Sequence, residues 1–374
     1  MTNEYNILPP YPCTSDMWDE LAREMRPIVV YGMGNGADKL IERFEKYSIK
    51  ISDFFASDGF VRGHFFHGYK VLSFSEILEK YDSFVIVLSF ASNKKDVVDM
   101  LRAIDERYDM YVPDMPIANT EEYFDREFYN AHYTEILEAM SAFSDEKSKK
   151  LFSNIINYKL TGRAKYLFKS VLDKDEMYSL LPCNNISISI DAGAYNGDTA
   201  REAKHYFKNL KKIYCIEPDS RNFKKLAKYC EAETEIETEP IHAAVWSSAS
   251  YAHFSDSGNR NSTISATPSF QHKTTEVELV AVDGIAEEKI DYIKYDVEGA
   301  EYEALLGSHG TILRDAPALL VSLYHRSRDI FELPLLIKER YPDYTLTLCR
   351  LYCLPAWELN LIATKGEKLF EKHQ

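Results

Sequence analysis

The run Ile186-Ser-Ile-Ser-Ile-Asp191-Ala-Gly193-Ala-Tyr195-Asn196-Gly197-Asp198-Thr199 contains three signals in fourteen residues. An apolar alternating stretch ends on an acid, glycines then space a turn, and a helical pattern opens at Thr199. A second apolar run, Ile213 to Ile216, also stops on an acid, Glu217, with Pro218 after it. A strand, a turn without bulky side chains and a downstream carboxylate are the parts of a nucleoside-binding switch point. The backbone can approach the ligand closely at Gly193, and one carboxylate can accept hydrogen bonds from two ribose hydroxyls.

Outward from that run, the strand–helix alternation continues through Ser220–Tyr229, Ile241–Val245, Asp291–Asp296, Ala300–Leu313 and Ala318–Tyr324. It closes on two stretches, Tyr344–Leu351 and Glu358–Thr364, that read as an antiparallel pair. The expected architecture is α/β, with a mostly parallel sheet finishing in a hairpin. A polar Ser/Thr/Asn-rich stretch within 247–282 interrupts the rhythm. The small residues Ala243 and Ala244 leave room for a flat ring. Asp296, Glu298 and Glu301 gather acids at one strand end, and Tyr324 and His325 end the next.

The runs IDAGAYNGDT, IEPD, HAAVW, IKYDVEGAE, VSLYH and RLY, in this order over about 186–364, resemble the FkbM-type methyltransferases. The resemblance implies a class I methyltransferase fold, S-adenosylmethionine as cofactor and methyl transfer, commonly to a sugar hydroxyl of a glycan or nucleotide-linked sugar. It casts Asp191, Gly193, Ala194, Tyr195, Asn196, Gly197, Asp198, Glu217, Pro218, Ala243, Ala244 and Asp296 as cofactor-binding residues. His325, Glu298 and Asp296 are the catalytic candidates, with His325 as base or orienter, and Glu301 and Tyr324 face the acceptor. Leu351 departs from the pattern, since similar proteins often carry histidine there. A divalent metal on the Asp296, Glu298, Glu301 and His325 set is chemically compatible but not favoured, so no metal site is assigned.

An earlier glycine turn, Gly32-Met-Gly34-Asn-Gly36-Ala37, follows the strand Pro27–Tyr31 and precedes a helix, with Asp58 twenty-one residues beyond Ala37. Gly32, Gly34 and Asp58 are thus a weaker second nucleotide site, on a small Rossmann-like unit of three or four strands. It resembles those attached to bacterial sugar-modifying enzymes. The expected organisation is an N-terminal helix over 1–25, this unit over 26–113, a helical connector over 114–182 and the methyltransferase unit over 183–374. Two alternatives stand beside it: an NAD-dependent sugar oxidoreductase or epimerase, and a non-catalytic nucleotide-sugar-binding subunit. The first lacks a Tyr-x-x-x-Lys pair in the expected region.

Composition narrows the partners. The 374 residues carry 44 Lys and Arg against 59 Asp and Glu, a formal charge of −15, without a basic block. Nucleic acid is therefore not expected as a partner. The six cysteines show no metal-type spacing, and no apolar run approaches the roughly 20 residues of a membrane span. A cytoplasmic enzyme in polysaccharide biosynthesis, acting on a small-molecule or glycan acceptor and compatible with a homo-oligomer, is the expectation.

Overall fold

The computed structural model describes residues 7–61, 63–117, 122–255, 264–265 and 274–366. Its first sheet is built from β1 (Ile28–Tyr31), β2 (Asp53–Ala56), β3 (Leu72–Ser73), β4 (Val85–Leu88) and β5 (Asp109–Tyr111). All are parallel, in the order β3-β2-β1-β4-β5. This is the doubly wound order 3-2-1-4-5, one strand short of the six of the two-half fold. The sequence reading of three or four strands falls short by the edge strands. β3 is two residues and β5 three, too short to show a periodicity.

The fully apolar β1 and β4 are buried on both faces, as central parallel strands must be. Gly32 has φ +116°, and a Cβ there would meet Ser89 Oγ at 2.5 Å. At Gly36 it would meet the Ser89 carbonyl oxygen at 2.0 Å. These two glycines are needed so that the loop after β4 can lie against the turn after β1. The dinucleotide-like spacing has a packing cause.

The second sheet carries β6 (Ile188–Ala192), β7 (Lys212–Ile216), β8 (Glu237–Ile241), β9 (Tyr292–Tyr295), β10 (Ala318–Ser322), β11 (Tyr344–Arg350) and β12 (Leu359–Lys365). Their order is β8-β7-β6-β9-β10-β12-β11, parallel except for β12, which runs antiparallel to both β10 and β11. The expected hairpin at the end of a parallel sheet is present. Ala244–Val245 leaves this sheet and joins Thr274–Val280, Ser250–Ser255 and Ile264–Ser265 in a separate four-stranded sheet. Most of the polar stretch within 247–282 lies outside the described residues.

The single helix expected over Ala300–Leu313 is two, Glu301–Leu306 and His309–Asp315. They meet at Gly307, where a Cβ would lie 2.0 Å from the Trp246 carbonyl oxygen. The backbone of the third strand's extension passes too close for a continuous helix with side chains.

Between the sheets run helices α1 (Tyr133–Ala142) and α2 (Glu146–Thr161). α2 is capped by Asp145, whose side chain accepts from Ser148 N, and it ends on Gly162 in the left-handed conformation. The apolar core is continuous from Val29 and Ile86 through Phe152 and Ile155 to Ile293 and Leu346. The connecting helices thus bury their faces against both sheets. No helix of the described residues is long and apolar enough to cross a membrane.

Arg350, at the end of β11, fastens this assembly. Its guanidinium is 1% exposed and donates to the carbonyls of Cys353, at 2.7 Å, and Leu167. Burial lowers its pKa to about 10, so it stays charged at neutral pH. Truncation would leave two buried carbonyls unpaired at about 1–3 kcal/mol each. Arg350→Ala is therefore expected to lose about 3 kcal/mol or more, measured as a drop in the urea midpoint. An unchanged midpoint would show that water replaces the guanidinium at no cost.

Candidate active site

The carboxyl ends of β7, β6, β9 and β10 open into a cavity of about 780 Å³. Open parallel sheets place their ligands at this edge. Of the residues assigned to the cofactor from sequence, Gly193, Tyr195, Asp198, Glu217, Pro218, Ala243, Ala244 and Asp296 line it. Asp191, Ala194, Asn196 and Gly197 do not.

Asp191 stands off the cavity lining, with a clear cause. It is 3% exposed and accepts hydrogen bonds from Thr199 Oγ1 and, at 3.2 Å, from Lys294 Nζ. It therefore ties the helix start to the strand floor from behind the cavity. Lys294 was missed by the sequence reading, although a lysine inside the apolar strand Tyr292–Tyr295 was the signal for it. Its Nζ also lies 3.3 Å from the Gly193 carbonyl oxygen and 3.6 Å from Asp296. Burial alone would lower its pKa, but Asp191 and Asp296 outweigh that and hold it raised.

The glycine turn brings backbone against backbone. Gly193 has φ +87°, and a Cβ on it would stand 1.9 Å from the Asp296 carbonyl oxygen. Gly193 N and Ala194 N both donate to Ile216 O, at 3.0 and 2.9 Å. The next residue, Tyr195, takes the left-handed conformation at φ 49° and exposes 46% of its surface at the mouth, under the Lys225 ammonium.

Glu217 is 6% exposed and lines the cavity at the end of β7. Its two oxygens accept from Tyr195 N and Asp219 N, each at 2.9 Å. Each oxygen keeps a second lone pair for an incoming hydroxyl. Burial is the main cause that raises its pKa to about 7.

Two strands from Glu217 along the sheet, and at its neighbour β10, the acids and the histidine converge. Asp296 accepts from Ser322 Oγ and Tyr324 Oη, both at 3.0 Å. Burial would raise its pKa, yet Lys294 and His325 bring it down to about 2, so it is a carboxylate at any working pH. His325 is 1% exposed, and its Nδ1 sits 2.8 Å from Glu301 Oε1. Its Nε2 faces Asp296 at 3.5 Å and Glu298 at 3.6 Å. Burial opposes the charge, but Glu301, Glu298 and Asp296 together raise the imidazole pKa to about 10.

Glu301 also stands off the cavity lining. It is fully buried behind His325 and also accepts from Val297 N at 2.9 Å. It orients the histidine and is out of reach of an acceptor. Tyr324 does line the cavity, as do Glu298 and His325. Glu298 has φ 54°, in the left-handed region, where a residue with a side chain is held against its preference. Beyond His325, Asp329 is 2% exposed, and burial and Glu301 raise its pKa to about 7.

Among the described residues no His, Cys, Asp or Glu group has the arrangement of a metal site. None of Gly32, Gly34 and Asp58 lines the cavity. The first sheet reaches it through other residues, Asn93 and Ile117, which no sequence signal marked. Leu351, Glu358 and Asn360 complete that side.

With this geometry in hand, comparison with known proteins places the chain. Residues 191–341 match the family model described as methyltransferase FkbM domain. No curated protein sequence matches. The crystal structure of methyltransferase FkbM from Methylobacillus flagellatus KT shares the fold, with 17% identity and a TM-score of 0.67. The match covers 96% of this chain and 95% of that one, so both sheets and the helices between them recur together. An rRNA methylase from Streptococcus thermophilus matches 52% of this chain and 93% of its own, at 16% identity and a TM-score of 0.33, too slight to argue from. The match over residues 191–341 to the methyltransferase FkbM domain identifies the protein as a methyltransferase of the S-adenosylmethionine-dependent type.

Proposed function

We propose that the cavity holds S-adenosylmethionine with its ribose on Glu217, its adenine beside Ala243 and Ala244, and its amino acid end near Asp198. The methyl group is then passed to a sugar hydroxyl, on a glycan or a nucleotide-linked sugar. The observation that carries this reading is the pairing, in one cavity, of a buried diol-type carboxylate with a histidine–carboxylate cluster on neighbouring strand ends. The small floor at Ala243 and Ala244 supports the same ligand, since it leaves space where a larger side chain would intrude.

The cofactor supplies an electrophilic methyl on a sulfonium. Bound here, it would supply that methyl to the acceptor oxygen, and its sulfur would keep the electron pair of the broken S–C bond. The chain's residues align the two centres, exclude water and receive the hydroxyl proton. The imidazole of His325 is already charged in the resting site, which fits it for holding the acceptor oxygen. Glu298 lies beside it, lines the cavity and takes the proton. Asp296 faces the developing charge without being neutralised.

Glu217 gives the test. Two hydroxyl hydrogen bonds to a carboxylate, at about 1.5–3 kcal/mol each, correspond to a loss of roughly 10²–10⁴ in affinity on Glu217→Ala. Calorimetric titration with S-adenosylmethionine reads it. In the wild type only the ionised carboxylate accepts from both hydroxyls. With its pKa raised to about 7, affinity should fall about tenfold per pH unit below 7 and level off above it. Equal affinity at pH 5.5 and 8 would remove Glu217 from the ribose. The NAD alternative finds none of Gly32, Gly34 and Asp58 in the cavity lining, and an NAD titration run alongside should show no heat.

A further inference from the structure

The first sheet is a wall of the active site. The loop after β4 is held on one side by the glycine turn. Ser89 N and Oγ donate to Tyr31 O at 3.0 and 2.9 Å, and Phe90 packs edge-on to Tyr31. On its other side Ser92 exchanges both backbone hydrogen bonds with Leu354, at 2.8 and 2.9 Å, as an antiparallel bridge. Tyr352 Oη donates to Asp99 at 2.6 Å, just beyond. A separate clamp joins Arg328, three residues after His325, to the carboxylate of Glu122. So clamped, the loop presents Asn93 to the same cavity as His325 and Glu298.

The charge of this end is predominantly negative, since the His325 imidazolium is enclosed by Glu301, Asp296 and Glu298. Asn360 pairs in register with Ser322, and Leu351 N donates to Glu358 O, which sets Glu358 and Asn360 beside Tyr324 and His325. The lining here is amide and carboxylate: Asn93, Asn360, Glu298 and Glu358. The lysines and arginine of the cavity are committed elsewhere. Lys294 is bound to Asp191 and Lys174 to Glu202. Arg221 and Lys225 stand on the helix after β7, three strands from β10 and so about 14 Å away. A diphosphate at the acceptor end would meet two carboxylates and no uncommitted lysine or arginine of the cavity lining. Sugar hydroxyls would meet donors and acceptors in alternation.

We infer that the loop after β4, through Asn93, selects the acceptor, and that the chamber it closes takes an uncharged polyhydroxylated sugar and rejects an anionic sugar nucleotide. This rests on the reading of the cavity as a hydroxyl-methylating site. Asn93 hydrogen-bonds the acceptor, Glu298 and Glu358 keep phosphates out, and the first sheet serves the reaction without binding a nucleotide of its own.

The experiment supplies labelled S-adenosylmethionine with two panels of the same sugars. One panel is methyl glycosides and neutral polysaccharides; the other is their nucleoside diphosphate esters. Label is expected in the neutral panel alone, and Asn93→Ala, an exposed loop change, should raise the acceptor KM about tenfold with cofactor affinity unaltered. Label in the nucleotide esters, or in neither panel with cofactor binding intact, overturns the inference, as does an Asn93→Ala enzyme with the wild-type acceptor KM. Loss of cofactor binding in the wild-type titration would instead bring down the reading of the site itself.

Discussion

Gly193→Ala is expected to lower the melting temperature by about 10 °C and to abolish cofactor binding in whatever remains folded. Two costs add at this position. The φ of +87° is one that only glycine adopts freely, and the added Cβ would lie 1.9 Å from the Asp296 carbonyl oxygen. Overpacking against backbone costs about 1–3 kcal/mol and often more, because no rotamer change relieves it. For a chain of this size 1 kcal/mol moves the melting temperature by about 2–4 °C.

The binding loss has a separate origin. Asp296 N donates to Ala192 O at 3.0 Å, so the turn after β6 and the end of β9 are one backbone seam. Prising the seam open moves Asp296 away from Lys294, Ser322 and Tyr324 at the same time. Gly284→Ala, where nothing lies within 4 Å of the new carbon, should leave stability and binding alone. Full cofactor affinity in Gly193→Ala would mean that the seam has no part in the site.

The legible part of this site was the part set by local backbone chemistry. A glycine at a close approach, an acid at a strand end and small residues under a flat ring each leave a mark within a few positions, so Gly193, Glu217, Ala243 and Ala244 were readable. Strands of four or five buried residues were readable for the same reason. What the sequence hid depends on the third dimension. Asp191 and Glu217 look alike as strand-end acids, yet Lys294 and Thr199 take the first into the wall while the second stays on the cavity. Glu298 and Glu301 are three residues apart, but a left-handed residue and a helix start send one into the cavity and the other behind the histidine. Asn93 lies over two hundred residues from His325 and came with no pattern. Gly32 and Gly36 show how close packing of a loop demands the same residue as close approach of a phosphate, so their spacing does not tell the two apart.

His325→Ala is expected to reduce kcat by about 10²–10⁴ while cofactor affinity changes little, because Glu217, the carboxylate proposed for the ribose, is three strands away. The charge on His325 sets the pH profile. Its folded pKa of about 10 lies above the ordinary 6.5, so the imidazolium persists through neutral pH and its stabilising pairs are complete below 6.5. As pH rises through 10 the proton leaves, and both the ion pairs and the grip on the acceptor oxygen are lost. At saturating cofactor, kcat should accordingly decline on an alkaline limb near pH 10. Glu301→Gln removes the carboxylate that contributes most to that elevation, although Glu298 and Asp296 remain. The limb should then move down toward neutral pH, with kcat lowered in proportion to the fraction deprotonated at the assay pH. A histidine that serves as a neutral base would behave in the opposite sense: Glu301→Gln would free it at lower pH and shift an acidic limb downward. Both limbs move down in pH, so the sign of the activity change at neutral pH, a loss for the orienting cation and a gain for the general base, separates the two. An unmoved profile would place the proton transfer on Glu298 with His325 as a bystander.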